Sequence, residues 1–558
     1  MLEKINQKSA PKEIVNALTT LYHQGKFDDV LSRSSQLIKE YPQTSALHNI
    51  MGAISFEKGH KEIAIEHFRK VIELRPYHSH AYNNLGAALL DIGEHQEAKS
   101  NLKKAIELQP DYAEAYNNLG NVYKEMEEYN QAISVYEKAI ELNPAYYEAY
   151  NNAGIMYDKN NNYEKSKFYI KHAIFLNPHF SDAYNNLGVI KKKRGKLNKA
   201  IQFCKKAIKI NPNNVSAYCN LSNTLLSQGK YKEAIINCDK ALKIENHNSN
   251  AYFHKSLALL SLEKFKEGWS LYESRKKIYP YKKWQFITSK EEWNKNKEIR
   301  LLLWKEAGVG DEILFSSIFQ DIEKYCKEII VQTDPRLIDL FERSFSKKIK
   351  FFPINKKISE KNYDYHLSTS SLAKFFRNDI NNFSSKSSGW LLADVFKSKK
   401  IKNMLAKKEK RIVGISWFTS QDKENSEKHN IELRKIVSSL DKKNIEIVNL
   451  QYGNVDNDII GVEKDIGIKI HQIPDIDIWN DLDGLASLIE ACDEVISIDN
   501  ITIHLAGALG KKSKALLMNP PDWKWGNNRQ KSFWHSSVEL FNKDGNNIFE
   551  KFNAKPPL

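Results

Sequence analysis

Two rhythms of apolar and polar positions divide the chain. Through the first half, small residues recur at Ala64, Ala98, Ala132, Ser166, Ala200 and Ala234, and a larger apolar residue follows four positions later, as at Phe68, Leu102, Tyr136 and Ile170. A spacing of four puts both members of each pair on one helix face. Prolines at 42, 76, 110, 144, 178 and 212 keep the same 34-residue step. A short motif follows most of them: YNNLG at 82–86, 116–120 and 184–188, and YNNAG at 150–154. Gly59, Gly93, Gly195 and Gly229 fall where each unit has to turn. The pattern predicts one pair of helices per 34 residues.

A helix–turn–helix unit of this length is the period of the tetratricopeptide repeat. Small residues let neighbouring helices approach, and large ones fill the grooves between them. No unit can bury its apolar face alone, so the array is stable only as a stack. About eight units are expected, from Pro11 to about Ile278, with atypical first and last members serving as caps; the repeat region is assigned to residues 1–282. The tyrosines that open the motif (Tyr82, Tyr116, Tyr150, Tyr184, Tyr218) are expected in the core. Asn84, Asn118, Asn152, Asn186 and Asn220 share one register in successive first helices. An amide carries both donors and an acceptor, which leaves two readings open. The ladder holds an extended peptide acceptor by its main chain, or the amides bridge neighbouring helices or face water.

After Lys282 the 34-residue period stops. Apolar runs of strand length appear at 299–304, 329–332, 349–352, 412–417, 445–450, 494–498 and 514–518. Helical patterns lie between them at 312–324, 335–345, 430–440, 482–491 and 502–509. This alternation predicts parallel α/β units: one at 297–396 and one at 411–558, joined by the basic run Lys397–Arg411, read as a solvated connector helix. Two such units leave a crevice at the carboxyl ends of their strands, where open α/β sheets bind ligands. Gly308-Val309-Gly310-Asp311 and Asp499-Asn500 both lie at such ends. The stretch Asp493–Gly510 is a strand that turns directly into a helix, so free N–H groups after Asp499 suit a diphosphate.

Composition narrows the classes. The 558 residues are 41% hydrophobic and 27% charged, as in a soluble globular protein. No apolar run approaches the roughly 18 residues of a membrane helix, and the start of the chain lacks a signal-peptide core. A cytoplasmic location and no membrane span are therefore expected. Five cysteines without a CxxC pair read as buried reduced thiols, and the histidines form no metal cluster. The net charge of +15 is spread through a Lys-rich chain without a nucleic-acid motif, so no nucleic-acid partner is expected.

The YNNLG array resembles the repeat half of the protein O-GlcNAc transferases and their bacterial relatives. The passage Phe265-Lys266-Glu267-Gly268-Trp269-Ser270-Leu271-Tyr272-Glu273-Ser274-Arg275 is similar to the segment that ends the array in bacterial repeat-plus-glycosyltransferase proteins. The second half resembles the heptosyltransferase-like glycosyltransferases of GT-B fold at Trp304–Asp311, Val413–Trp417, Leu450-Gln451, Asp499–Gly510 and Asp522–Trp525. The resemblance implies an α-solenoid followed by two Rossmann-like subdomains in a GT-B arrangement, the first on the acceptor side and the second binding the donor. It implies inverting, metal-independent transfer of a sugar from a nucleotide-sugar donor to an acceptor hydroxyl, with no other cofactor.

Roles follow only where residues match. Asp311 matches the proposed general base, with Gly308 and Gly310 beside it. His504 matches the donor-site histidine, and Asp499 the acid that opens its helix. Trp417, Thr419, Gln451, Asn500 and Thr502 complete the expected donor site. Glu306 and Glu312 are alternative bases, and Lys428, Arg434 and Lys524 are candidate partners for the leaving diphosphate. Trp523 and Trp525 are read as stacking groups or as core. Three DxD triplets, at 456–458, 475–477 and 481–483, lie in connecting stretches rather than at strand ends. The sequence departs from the family at Asn500-Ile501, at Thr419 and at Lys428-His429-Asn430, and Ile501 stands where it can crowd a diphosphate. The alternative reading is a protein-binding scaffold with a catalytically degenerate transferase-like domain.

Overall fold

The computed structural model describes residues 9–278, 286–383, 389–405, 410–419 and 430–542. Residues 1–190 with 206–212 form one compact unit, and 191–205 with 213–558 form a second.

Sixteen α-helices among the described residues run in succession from Lys12–His23 to Phe265–Tyr272, as two per 34-residue repeat require. Tetratricopeptide repeats run throughout the N-terminal half. The glycine that ends each YNNLG motif has a steric reason. A Cβ on Gly86 would lie 2.5 Å from Leu102, one on Gly120 2.4 Å from Tyr136, and one on Gly154 2.5 Å from Ile170. Each glycine thus faces the large residue that follows the small position of its own second helix. The turn inside each repeat needs a left-handed residue. Gly59, Gly93, Gly195 and Gly229 supply it with φ from +68° to +87°, and Glu127, Asn161 and Glu263 hold the same register at +58° to +60°. Glycine is the low-strain choice there but not an obligatory one. Tyr184 and Tyr218 are buried, whereas Tyr82, Tyr116 and Tyr150 are half-buried.

Two parallel sheets follow. The first has β1 (Ile299–Trp304), β2 (Cys326–Thr333), β3 (Ile349–Pro353) and β4 (Tyr365–Ser368) in the order β3-β2-β1-β4. The second has β5 (Arg411–Ser416), β6 (Ile445–Asn449), β7 (Ile470–His471), β8 (Glu494–Ile498), β9 (Ser513–Leu517) and β10 (Val538–Asn542) in the order β10-β9-β8-β5-β6-β7. Every strand pair within both sheets is parallel. The near-continuous apolar runs fit strands covered on both faces. The order in which successive strands are added reverses once in each sheet, between β1 and β4 and between β5 and β8. Such switch points open a crevice at the carboxyl ends.

Strands β4, β7 and β10 and the Asp456–Ile466 helix were not foreseen; β7 is two residues long and β4 is YHLS, neither with a clear period. The Val395–Leu405 helix occupies the basic run, with Lys397 and Lys402 paired to Asp481 and Asp493; residues 406–409 of that run lie outside the described residues. The last repeat is continuous with the first sheet's core. Phe265, Trp269 and Tyr272 share one apolar cluster with Leu301, Leu303 and Phe315. All five cysteines are free and buried.

Candidate functional site

A cavity of about 310 Å³ lies at the carboxyl ends of both sheets. Gly308, Val309, Gly310 and Asp311 reach it from the end of β1, and Arg336 from the end of β2. Thr419 follows β5, Tyr452 follows β6, Asp499, Asn500, Ile501 and His504 follow β8, and Lys524 follows β9. Ile478, Trp479 and Leu482 complete the wall. Both sides of the β5/β8 switch point therefore contribute.

Two helix N-termini converge here. Gly308 is the N-cap of the Val309–Ser316 helix and makes no side-chain capping bond. Asn500 is the N-cap of the Ile501–Ala508 helix, and its Oδ1 accepts from the Thr502 N–H at 3.0 Å. The Asn500 amide is fixed further: Oδ1 accepts from Ser497 Oγ at 2.9 Å, and Nδ2 donates to Ser416 Oγ at 2.8 Å. The first helix end is open, whereas the second already has one N–H satisfied.

Charge is paired across the sheets. Lys524 Nζ donates to Asp311 Oδ1 at 2.9 Å, with 17% and 29% of the two side chains exposed. Burial disfavours the ammonium, but Asp311, Asp522 and Asp499 together hold the Lys524 pKa well above its usual value. Burial likewise disfavours the Asp499 carboxylate. The His504 hydrogen bond and the Lys524 charge outweigh it and bring the carboxyl down to about 2. His504 Nε2 lies 3.5 Å from Asp499 Oδ1, and its Nδ1 lies 3.3 Å from His535 Nε2. His504 also stacks on Trp525, with ring centroids 5.1 Å apart. Burial and the neighbouring His504 push His535 well below the ordinary histidine range, so His535 is neutral and serves His504 as a hydrogen-bond partner. A Cβ on Gly310 would stand 3.1 Å from His504 Cδ2, so a bare glycine lets the two helices meet here.

Seven residues expected at the site line the cavity: Gly308, Gly310, Asp311, Thr419, Asp499, Asn500 and His504. Trp417, Gln451 and Thr502 do not; all three are buried behind it. Gln451 Oε1 accepts from Ser416 Oγ and from the Trp417 and Phe418 N–H groups, so this side chain ties down the loop after β5. The alternative bases have other partners. Glu306 is paired with Arg275, and Glu312 accepts from Thr333 and Asp334 and pairs with Lys305. Of the candidate cations, Lys524 is at the cavity, Arg434 pairs with Asp465 away from it, and Lys428, with His429, lies outside the described residues. Trp525 is core, and Trp523 packs edge-on against Trp269 at 5.3 Å.

Of the DxD triplets, Asp477 accepts from the Trp479 and Asn480 N–H groups in a local turn, Asp481 is the N-cap of the Leu482–Ala491 helix, and Asp483 pairs with Arg343. Among the described residues no group of His, Cys, Asp and Glu has the arrangement of a metal site. Arg336, Tyr452 and Trp479 were missed. Trp479 is 46% exposed, Tyr452 packs on it at 4.8 Å, and the Arg336 guanidinium lies 5.3 Å from its ring centre. The available signal was position: Arg336 and Tyr452 each stand three residues beyond a strand.

The expected acceptor ladder is engaged internally. Asn118 Nδ2 donates to Asn83 Oδ1 at 2.9 Å, Asn152 to Asn117 at 3.1 Å, and Asn186 to Asn151 at 2.9 Å. Asn84 reaches Asn49 at 3.5 Å, and Asn220 holds the same register, half-buried. The amides thus bridge successive repeats.

Tetratricopeptide-repeat models match residues 46–78, 77–145, 135–168, 181–214 and 203–236. Protein FlbA of Caulobacter vibrioides is 28% identical over 268 residues. That match covers 44% of this chain and 44% of FlbA, so the chain spans less than half the length of this relative. Among solved structures, the APC/C hetero-tetramer Cut9–Hcn1 matches 47% of this chain and 52% of its own at 19% identity, with a TM-score of 0.40. MamA matches 29% of this chain and 95% of its own at 30% identity, with a TM-score of 0.26. No helix among the described residues is long and apolar enough to cross a membrane.

Proposed function

We propose that the α/β half is a glycosyltransferase of GT-B arrangement. It moves a sugar from a nucleotide-sugar donor to an acceptor hydroxyl, on a protein captured by the repeats. The observation that carries this reading is the cavity itself: the open helix end at Gly308 and the helix end at Asn500 meet there, with Asp311 and Lys524 in contact.

The chemistry assigned to each group follows from its position. Asp311 takes the proton of the acceptor hydroxyl, whose oxygen bonds to the sugar's anomeric carbon as the bond to the diphosphate oxygen breaks. Inversion follows from this single displacement. The nucleoside diphosphate leaves onto the helix end at Asn500 and onto Lys524, whose charge-assisted bond to phosphate is stronger than a neutral one. Donor binding therefore draws Lys524 from Asp311 and frees the base. The exposed Trp479, backed by Tyr452, gives a flat face for the base or the sugar.

Titration calorimetry of the full chain with a panel of nucleotide sugars tests the reading. Binding of one donor class, followed by transfer or slow hydrolysis, is the expected result. A flat response to every donor at millimolar concentration overturns it. In that case the second reading stands, a protein-binding scaffold. It is favoured by the repeats and by two departures at the donor helix, namely Ile501 in the cavity wall and the Thr502 N–H held by Asn500.

A further inference from the structure

The segment that ends the repeat array, Phe265 to Arg275, does not line the cavity. Its side chains run into the first sheet. Trp269 donates its indole N–H to the Arg377 carbonyl at 2.8 Å. Arg275 is wholly buried, and its guanidinium enters the β1/β4 switch point. Nη2 donates to Ser368 Oγ at 3.0 Å, Ser370 Oγ at 2.8 Å and Ser371 Oγ at 2.9 Å, all at the carboxyl end of β4. Nε pairs with Glu306 from the end of β1, and Nη1 donates to the Tyr272 carbonyl at 3.0 Å and to Glu273 at 2.9 Å. Glu306 is itself 4% exposed and accepts from Ser370 as well. The crevice that an open α/β sheet commonly offers to a ligand is filled here by an arginine from the last repeat.

Glu306 stands two residues before Gly308 and five before Asp311. The other side of the same loop is held by Lys305, which pairs with Glu312 at 2.5 Å and with Asp334 at 3.4 Å. We propose that Arg275 is a positioning residue: through Glu306 it sets the β1 loop, so that the placement of Asp311 depends on the seating of the final repeat. This rests on the reading of the cavity as a transferase site. An arginine suits the task because its planar fork meets a carboxylate and three hydroxyls in fixed directions, which a lysine ammonium does not. A buried ion pair broken on one side leaves a bare charge, whereas replacing both partners by apolar groups is tolerated.

The test therefore uses the double variant Arg275→Met with Glu306→Leu, and Arg275→Lys as the conservative change, in the full chain. Hydrogen exchange of the 305–311 amides is the readout that needs no substrate. Loss of protection there, with the 501–508 helix unchanged, is expected. In transfer assays kcat falls by about 100-fold with KM little changed, as a displacement near 1 Å would produce, and Arg275→Lys falls in between. Unchanged exchange at 305–311 in a folded double variant overturns the proposal, and so does a wild-type kcat. Asp311→Asn, assayed alongside, separates the two ideas. If it keeps full turnover, the assignment of the base fails, while exchange still decides whether Arg275 positions the loop.

Discussion

The repeat array and the cavity use their polar groups in opposite ways. In the array each bridging amide meets one from the preceding repeat, 35 residues away in the chain, and the same bond recurs from helix to helix. At the cavity the contacts are unique and distant: Lys524 meets Asp311 across 213 residues. Repetition makes the ladder a framework that any repeat can extend. The cavity has no second copy, so one substitution there removes a contact that nothing else duplicates. Under the proposed function, recognition by the array comes from positions that vary between repeats, and chemistry from the charged groups the two sheets bring together.

The largest effect that would sharpen this contrast is at Asp311. Asp311→Asn keeps the shape of the side chain and removes the proposed base. Turnover should fall by about 10²–10⁴-fold, the usual contribution of general base catalysis, with donor affinity from calorimetry little changed. Full turnover in this variant would leave the cavity no more distinctive than the ladder.

Lys524→Met comes next. Asp311 and Asp499 lose their shared cation at a largely buried site, and breaking such a pair costs on the order of 3 kcal/mol. The pH dependence carries the same signature. The Asp499 carboxyl is held at about 2 in the folded chain, below its ordinary 3.8. A depressed acid contributes stability above its unfolded pKa, and that contribution is lost as pH falls through the folded one. The wild type should therefore lose stability between about pH 4 and pH 2, and Lys524→Met should lose less over the same interval. Denaturant midpoints at a series of pH values measure this. Identical acid profiles would show that Lys524 is not what holds Asp499 charged.

In the array the matching prediction is steric. A methyl on Gly120 would lie 2.4 Å from Tyr136. Gly120→Ala should cost about 1–3 kcal/mol, as overpacking does, read from the melting transition. Gly308→Ala, whose added methyl meets nothing within 4 Å, should leave the transition in place.

The same contrast governs what could be read in the sequence. The repeats were legible down to single residues, because each position is constrained the same way several times over. Gly86, Gly120 and Gly154 all answer to one neighbour in the following helix. The sheets were legible where burial on both faces makes an apolar run, as in β1 and β8, and illegible in β4 and β7, where the strand is short and its partner supplies the order. At the cavity the residues beside a strand-to-helix turn were found: Asp311, Asp499, Asn500 and His504. Arg336 and Trp479 were not, since their approach is set by the sheet topology and not by a local pattern. Gln451, expected at the cavity, does not line it, for a related reason. A buried amide that ties down a loop and one that binds a ligand look alike until their partners are known.

The smallest effect belongs to the ladder and bears most directly on what the repeats do. Asn152 Nδ2 donates to Asn117 Oδ1 at 3.1 Å, and a hydrogen bond of this kind contributes about 1 kcal/mol net. Asn152→Ala should therefore lower the stability of the array by roughly that amount and leave capture of an acceptor protein nearly unchanged. If the amide instead holds the acceptor's main chain, affinity falls while the melting transition stays where it was. Asn152→Asp separates the two further. A carboxylate opposite the Asn117 oxygen is a second acceptor facing the first, so the internal bond is lost and the repeat is destabilised again, whereas a main-chain N–H arriving from a partner would still find an acceptor. A variant that melts early but binds normally assigns the ladder to the framework. Recognition then belongs to side chains that differ from one repeat to the next.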